Sequence, residues 1–270
     1  MGLQSLEPTW ETAGNIFWDM ICVIYWIRCL LHPSRPHREL VSICTETSLT
    51  LIQVISAPIS QYDVENGRSA CTCICLEAAM QILRGYADGV WAGTPESITN
   101  YVTVGVSNYE AVAAAGTLSV EHTSVAEILA SVARYRDALQ PVTAQGTHQG
   151  LLGSDSSIAS VLREIGGARQ DKNKPMAVAI TKPPETVVCF LPPEGNPATA
   201  GAPSSWLLFD SHSRPQLGLR GASVRSFGGE DALIEALNDT FPSFDLGAED
   251  SSVMASMYNM FECIPMSSKH

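Results

Sequence analysis

Cys71 and His212 are the side chains of this 270-residue chain whose settings best suit nucleophilic chemistry. A thiol attacks as its thiolate, and the amino end of a helix stabilises that anion through free N–H groups and the macrodipole. Such an end is predicted at Cys71, because Leu76, Ala79, Met80 and Leu83 recur at helical spacing and Gly85 follows as a stop. Small or turn-forming residues, Gly67-Arg68-Ser69-Ala70, precede it and would let a substrate backbone approach. Cys73 and Cys75 fall deeper in the same helix, where thiols pack rather than react.

A base for the thiol need only lie within hydrogen-bond reach in the fold. His32 and His37 sit in the N-terminal tail, His122 precedes a helix, His148 lies in a polar loop and His270 is the last residue. His212 alone follows a predicted buried strand, in Trp206-Leu207-Leu208-Phe209-Asp210-Ser211-His212. Residues two apart in extended chain project from one face, so Asp210 can orient the imidazole and leave its other nitrogen to the thiol. The plainer reading, an Asp capping a turn beside a solvated His, gives way because a helix-opening Cys is also present. A tetrahedral intermediate needs oxyanion donors, and Gln61, ten residues before Cys71, is the side-chain candidate. Gln53 lies inside a predicted strand and is less well placed.

The elements that must hold these residues read as helices first and strands afterwards. Leu49 to Ser56 suits a buried strand, followed by a loop with Pro58, Asp63, Asn66 and Gly67. Helices are predicted from Thr94-Pro95, over Thr123 to Leu139 and over Ser154 to Ile165, with residues 140 to 153 as a loop. Met176 to Thr181, Thr186 to Leu191 and Trp206 to Asp210 form a strand meander, with Pro192 to Pro203 as a hairpin tip. Ala222 to Phe227 adds a strand, Gly229 to Leu237 a helix and Met257 to Ile264 a last strand. The expected fold class is α+β, with a helical first half packed on an antiparallel sheet from the second half.

Composition narrows the function. Asp+Glu 28 against Lys+Arg 16 leaves a formal net charge of -12, which disfavours a nucleic-acid surface. Eight cysteines, three of them in Cys71-Thr-Cys73-Ile-Cys75, and no recognisable cleavable signal peptide point to reduced thiols in an intracellular, cytoplasmic setting. Cys22, Cys29, Cys44, Cys189 and Cys263 read as small buried hydrophobes. Residues 16–31 are apolar, yet Asp19 and Arg28 leave too short a run to span a membrane. Packing on the domain or on a partner is the preferred reading of 16–31, ahead of an interfacial membrane contact. The expected division is therefore 1–40 as an N-terminal segment and 41–270 as the functional domain.

Gln61, Gly67-x-x-x-Cys71 opening a helix, Phe209-Asp210-x-His212 after an apolar strand, and Tyr258-Asn259-Met260-Phe261 before a last strand together resemble the herpesvirus tegument deubiquitinase superfamily and its cellular and bacterial variants. The resemblance runs from Leu49 to Ile264 in order of elements and implies a papain-like cysteine peptidase. It implies cleavage of the peptide or isopeptide bond after the ubiquitin C-terminal glycine. Cys71, His212, Asp210 and Gln61 would be nucleophile, base, orienter and oxyanion donor. The partner implied is ubiquitin or a ubiquitin-like modifier, and no cofactor is implied. The helical region from Thr94 to Ile165 and the N-terminal apolar segment depart from the viral pattern and bear on the substrate.

Two other readings compete. A zinc site from the three close cysteines and His212 ranks below catalysis, because structural zinc spaces its cysteine pairs by two to four residues on knuckle turns. The second is a catalytically silent scaffold that binds a ubiquitin-like protein with a peptidase fold. Asp63 and Glu65 could form an acidic cleft wall for a basic peptide tail, but an ordinary solvated loop is the preferred reading.

Overall fold

The computed structural model describes residues 51–90, 92–116, 123–142, 147–194, 204–244 and 252–269. The expectations for residues 1–40, for Cys22, Cys29 and Cys44, for His122 and His270 and for most of the 192–203 tip lie outside those residues. All the described residues fall within one compact unit, Thr47–His270.

The sheet is covered on both faces, which suits the uniformly apolar runs of its central strands. Eight antiparallel strands pair in the order β1-β7-β6-β5-β4-β8-β2, with β3 also pairing β8. They are β1 (Leu51–Ser56), β2 (Leu139–Pro141), β3 (His148–Leu151), β4 (Met176–Lys182), β5 (Glu185–Leu191), β6 (Trp206–Asp210), β7 (Ser223–Phe227) and β8 (Met260–Ser268). Side chains alternate between two cores. Ala177, Ala179, Val188, Phe190, Leu207 and Phe209 face one, shared with α1 (Cys71–Asp88), α2 (Pro95–Ala114) and α3 (Val125–Ser131). Val178, Ile180, Val187, Cys189 and Leu208 face the other, shared with α5 (Ile158–Gly167) and α6 (Glu230–Thr240). Short helices α4 (Ala133–Ala138) and α7 (Ser252–Asn259) are the other α-helices among the described residues. The fold class is α+β, as expected.

Several boundaries differ from the sequence reading. The first strand is an edge, and Leu51, Ile52 and Val54 are exposed rather than buried. The helix expected over Thr123 to Leu139 breaks at Val132, a β-branched residue with extended backbone (φ -97, ψ 104) that caps α3. The supposed 140–153 loop contributes β2 and β3, because β8 offers both a partner edge. His148 thus sits in β3, 3.8 Å from Glu164, and residues 257–259 end α7 before β8 begins. The first core helix runs past the expected stop at Gly85 to Asp88 and closes on Gly89 in the left-handed region (φ 67).

One glycine holds the helical layer together where the site is built. At Gly105 in α2 a Cβ would lie 2.5 Å from the Ile74 Cα, so α1 and α2 meet backbone to backbone. Buried side chains around this contact, Ile74, Val102 and Tyr101, have no room to shift. Gly105→Val should therefore lower stability by about 1–3 kcal/mol through overpacking, read as a drop in the urea unfolding midpoint; an unchanged midpoint would show that the helices separate freely.

Candidate active site

Four segments remote in sequence converge at the start of α1. Cys71 is its first residue, is buried, and follows Ala70, which gives the helix no side-chain cap. The first intrahelical bond runs from Ile74 N–H to Ala70 O, so the preceding N–H groups have no helical acceptor and point their partial positive charge at the thiol. The β4–β5 hairpin docks on this end. The Cys71 Sγ lies 3.7 Å from Pro184 O, Thr72 Oγ1 lies 3.2 Å from Thr186 Oγ1, and Cys75 Sγ donates to Thr186 O at 3.1 Å.

Asp210 ends β6 and is fully buried, so its carboxylate must be matched by donors or cations. The match is complete. Asp210 Oδ1 lies 2.7 Å from His212 Nδ1 and accepts the His212 backbone N–H at 3.0 Å. Oδ2 accepts from Arg214 Nε at 2.7 Å, and Arg214 Nη2 donates to Glu185 Oε2 at 2.7 Å. Engaging Nδ1 leaves Nε2 for the thiol, and the Cys71 side chain is close enough to act as a hydrogen-bond partner of the ring. Tyr62 covers His212, with ring centroids 5.9 Å apart.

Electrostatics follow from the geometry. Burial disfavours the charged imidazole, but the Asp210 carboxylate, through charge and hydrogen bond, overcomes it and carries His212 up to about 10. Burial likewise opposes the Asp210 anion, and His212 with Arg214 reverses that, holding the carboxyl well below the usual range. A buried acid–imidazolium pair is thus the resting charge state. Burial pushes Cys73 up to about 12 and Cys75 well upward, which leaves both thiols neutral and poor nucleophiles.

Gln61 is brought to the same place by two 3-10 turns, Gln61–Asp63 and Gly67–Ser69. Its buried amide is oriented without ambiguity: Nε2 donates to Arg68 O at 3.0 Å, while Oε1 accepts from Ser211 Oγ at 2.7 Å. A main-chain bond from Gln61 N–H to Ser211 O, 3.0 Å, ties this turn to the Asp210–His212 segment. A Cβ at Gly67 would come within 2.1 Å of Gln61 O, so the two turns can nest only over glycine. Asp63 belongs to an ordinary turn, the reading preferred for it: it closes a capping box with Ser60, accepting from its N–H at 2.7 Å and its hydroxyl at 2.8 Å.

The structure therefore brings together Cys71, His212, Asp210 and Gln61, and leaves Gln53 on the edge strand. Sequence reasoning missed Arg214, Ser211, Thr186 and Tyr62. Only Arg214 carried a usable signal, standing two residues past His212 in the same short segment. Among the described residues no group of three or more His, Cys, Asp or Glu side chains is placed to hold a metal ion.

The crystal structure of a ubiquitin-specific protease encoded by a murine cytomegalovirus tegument protein, in complex with a ubiquitin-based suicide substrate, superposes on this chain with a TM-score of 0.51. The match covers 80% of this chain and 85% of that one at 15% sequence identity. The two share a papain-like fold. No family model and no curated protein matches the chain. No described helix is long and apolar enough to cross a membrane.

The raised His212 pKa makes a signed prediction. An imidazole carried from 6.5 to about 10 on folding stabilises the protein fully below pH 6.5 and loses that contribution as pH climbs through 10. Asp210, held low, contributes above its ordinary 3.8 and loses its part as pH falls. The stability gap between the wild type and His212→Gln should be widest near pH 5–6 and shrink steadily toward pH 10, as denaturant unfolding across pH will read; a gap independent of pH would refute the buried ion pair.

Proposed function

We propose that this chain is a cysteine-dependent hydrolase that cleaves the peptide or isopeptide bond after the C-terminal glycine of ubiquitin or a ubiquitin-like modifier. One observation carries the catalytic part: a buried Asp210–His212 pair, joined at 2.7 Å, reaches a cysteine at an uncapped helix start. The substrate part is supported by the shared fold with a viral protease crystallised on a ubiquitin-based suicide substrate. Residues 41–270 form the peptidase domain in this reading, with 1–40 as a separate segment.

Cys71 as thiolate adds to the scissile carbonyl carbon through a sulfur lone pair, and the carbonyl π pair moves onto oxygen. The oxyanion is received by the first N–H groups of α1 and by the Gln61 amide, whose Nε2 keeps a second hydrogen beyond the one given to Arg68 O. His212, as imidazolium, gives its proton to the leaving amine as the C–N bond breaks, and a thioester remains on Cys71. Water then attacks the thioester while His212 takes its proton; the freed ubiquitin tail departs as a carboxylate and the thiol is restored. Asp210 stays ionised throughout and holds the ring in the tautomer that turns Nε2 to sulfur.

Ubiquitin-propargylamide, which captures only a positioned nucleophilic thiol, tests both parts together. The wild type and Cys73→Ala should form a covalent adduct and Cys71→Ala should not. Capture through Cys73 or Cys75 would overturn the assignment, and reversible binding without capture would favour a silent scaffold. In variants that retain capture, Gln61→Ala should slow turnover of a ubiquitin fluorogenic ester or amide by about 100-fold at nearly unchanged KM, the signature of a lost transition-state donor.

A further inference from the structure

Arg214 is the most heavily committed charge near the thiol that the mechanism does not yet use. Its side chain is 9% exposed and spends both arms on acids, Nε on Asp210 Oδ2 and Nη2 on Glu185 Oε2, each at 2.7 Å. Arginine's planar fork suits this double engagement, which a lysine could make only at one end. Glu185 opens β5 directly after Pro184, whose carbonyl faces the Cys71 thiol. Thr186, the next residue, grips α1 through Thr72 and Cys75. One guanidinium therefore joins the orienting acid to the hairpin that roofs the nucleophile.

We propose that Arg214 is a positioning residue of this site, fixing the Asp210 carboxylate from behind and coupling it through Glu185 to the Pro183–Pro184 hairpin over Cys71. The inference rests on the catalytic reading above but not on ubiquitin as substrate. Asp210 offers two oxygens. His212 claims one with its ring and its main-chain N–H, and without a second donor the carboxylate could swing about its Cβ–Cγ bond and take the ring with it. Arg214 removes that freedom. Its charge also favours the anions around it, while Glu185 opposes them. The charged or titratable groups that face this cluster are Asp210 and His212 themselves, Glu185 on β5, Lys182 paired with it on β4, Tyr62 on its 3-10 turn, Cys71 and Cys75 on α1 and Arg225 on β7. None of the others hydrogen-bonds both the acid and the hairpin.

A purely structural Arg214 and a positioning Arg214 differ in the pH profile of the thiol. The rate of Cys71 alkylation by iodoacetamide, measured against pH on the full chain with Cys71→Ala as blank, reports thiolate formation without any ubiquitin. Removing the cation in Arg214→Gln should move the profile to higher pH by about one unit. Removing the opposing anion in Glu185→Gln should move it to lower pH, and Arg214→Lys, which keeps charge but one arm only, should fall between Arg214→Gln and the wild type. Opposite shifts support the proposal; profiles that coincide with the wild type, or that both move the same way while only thermal stability falls, overturn it. Should Arg214→Gln not fold, Glu185→Gln and Arg214→Lys carry the same sign test. Failure of the underlying reading looks different: His212→Ala would then alkylate as fast as the wild type. Absent capture by ubiquitin-propargylamide alongside fast, His212-dependent alkylation would remove ubiquitin alone.

Discussion

A carboxylate taken out of water has to be met by donors on every side, and in this molecule that carboxylate is Asp210. An isolated buried anion would cost several kcal/mol and would escape the cost by taking up a proton. Here three hydrogen bonds and two cationic partners keep it ionised. The requirement propagates outward. His212 must fold back onto the acid two residues earlier, Arg214 must turn inward two residues later, and Ser211 between them must face the other way, where it meets Gln61. A five-residue segment at the end of one strand thereby sets the directions of three side chains of the candidate site.

Convergence on that segment is the work of the sheet. Its central strands are buried on both faces, so their register is pinned by two cores at once, and a slip of one residue would exchange the two sets of side chains. β6 therefore ends in a defined place, and β5 beside it starts with Glu185 and Thr186 at the level of the α1 start. The helix is held to the sheet by apolar burial and to α2 by the close approach at Gly105. Its amino end remains without a side-chain cap, an arrangement that costs helix stability and leaves N–H groups free for a developing negative charge. Buried, neutral Cys73 and Cys75 pack within the same helix, so the run of three thiols contains one in contact with His212.

Much of the site was legible from residue types. A helix start announces itself by periodicity and by what precedes it, and Asp-x-His after an apolar run places two side chains on one face by strand geometry alone. Gln61 was legible only as a candidate, since nothing local says that a loop amide will be locked by Ser211 and Arg68. Arg214 carried a local signal, two residues past His212, but its second partner, a glutamate on another strand, could not be read from the neighbouring residues. Edge and centre were also indistinguishable: Leu-Ile-Gln-Val-Ile reads as buried strand, yet β1 has a neighbour on one side only, and its apolar side chains reach solvent.

What the sequence by itself determined were the α+β class, the positions of most helices and central strands, and the identities of Cys71, Asp210, His212 and Gln61 as the residues to watch. These depend on short-range periodicity and on the chemistry of single side chains, both of which are written locally. The tertiary structure alone decided that β2 and β3 exist, that α3 ends at Val132, and that Arg214 links the acid to the hairpin above the thiol. β2 and β3 depend on β8, more than a hundred residues away, and the Arg214 link depends on Glu185, 29 residues away; such pairings are settled only when the chain has closed on itself.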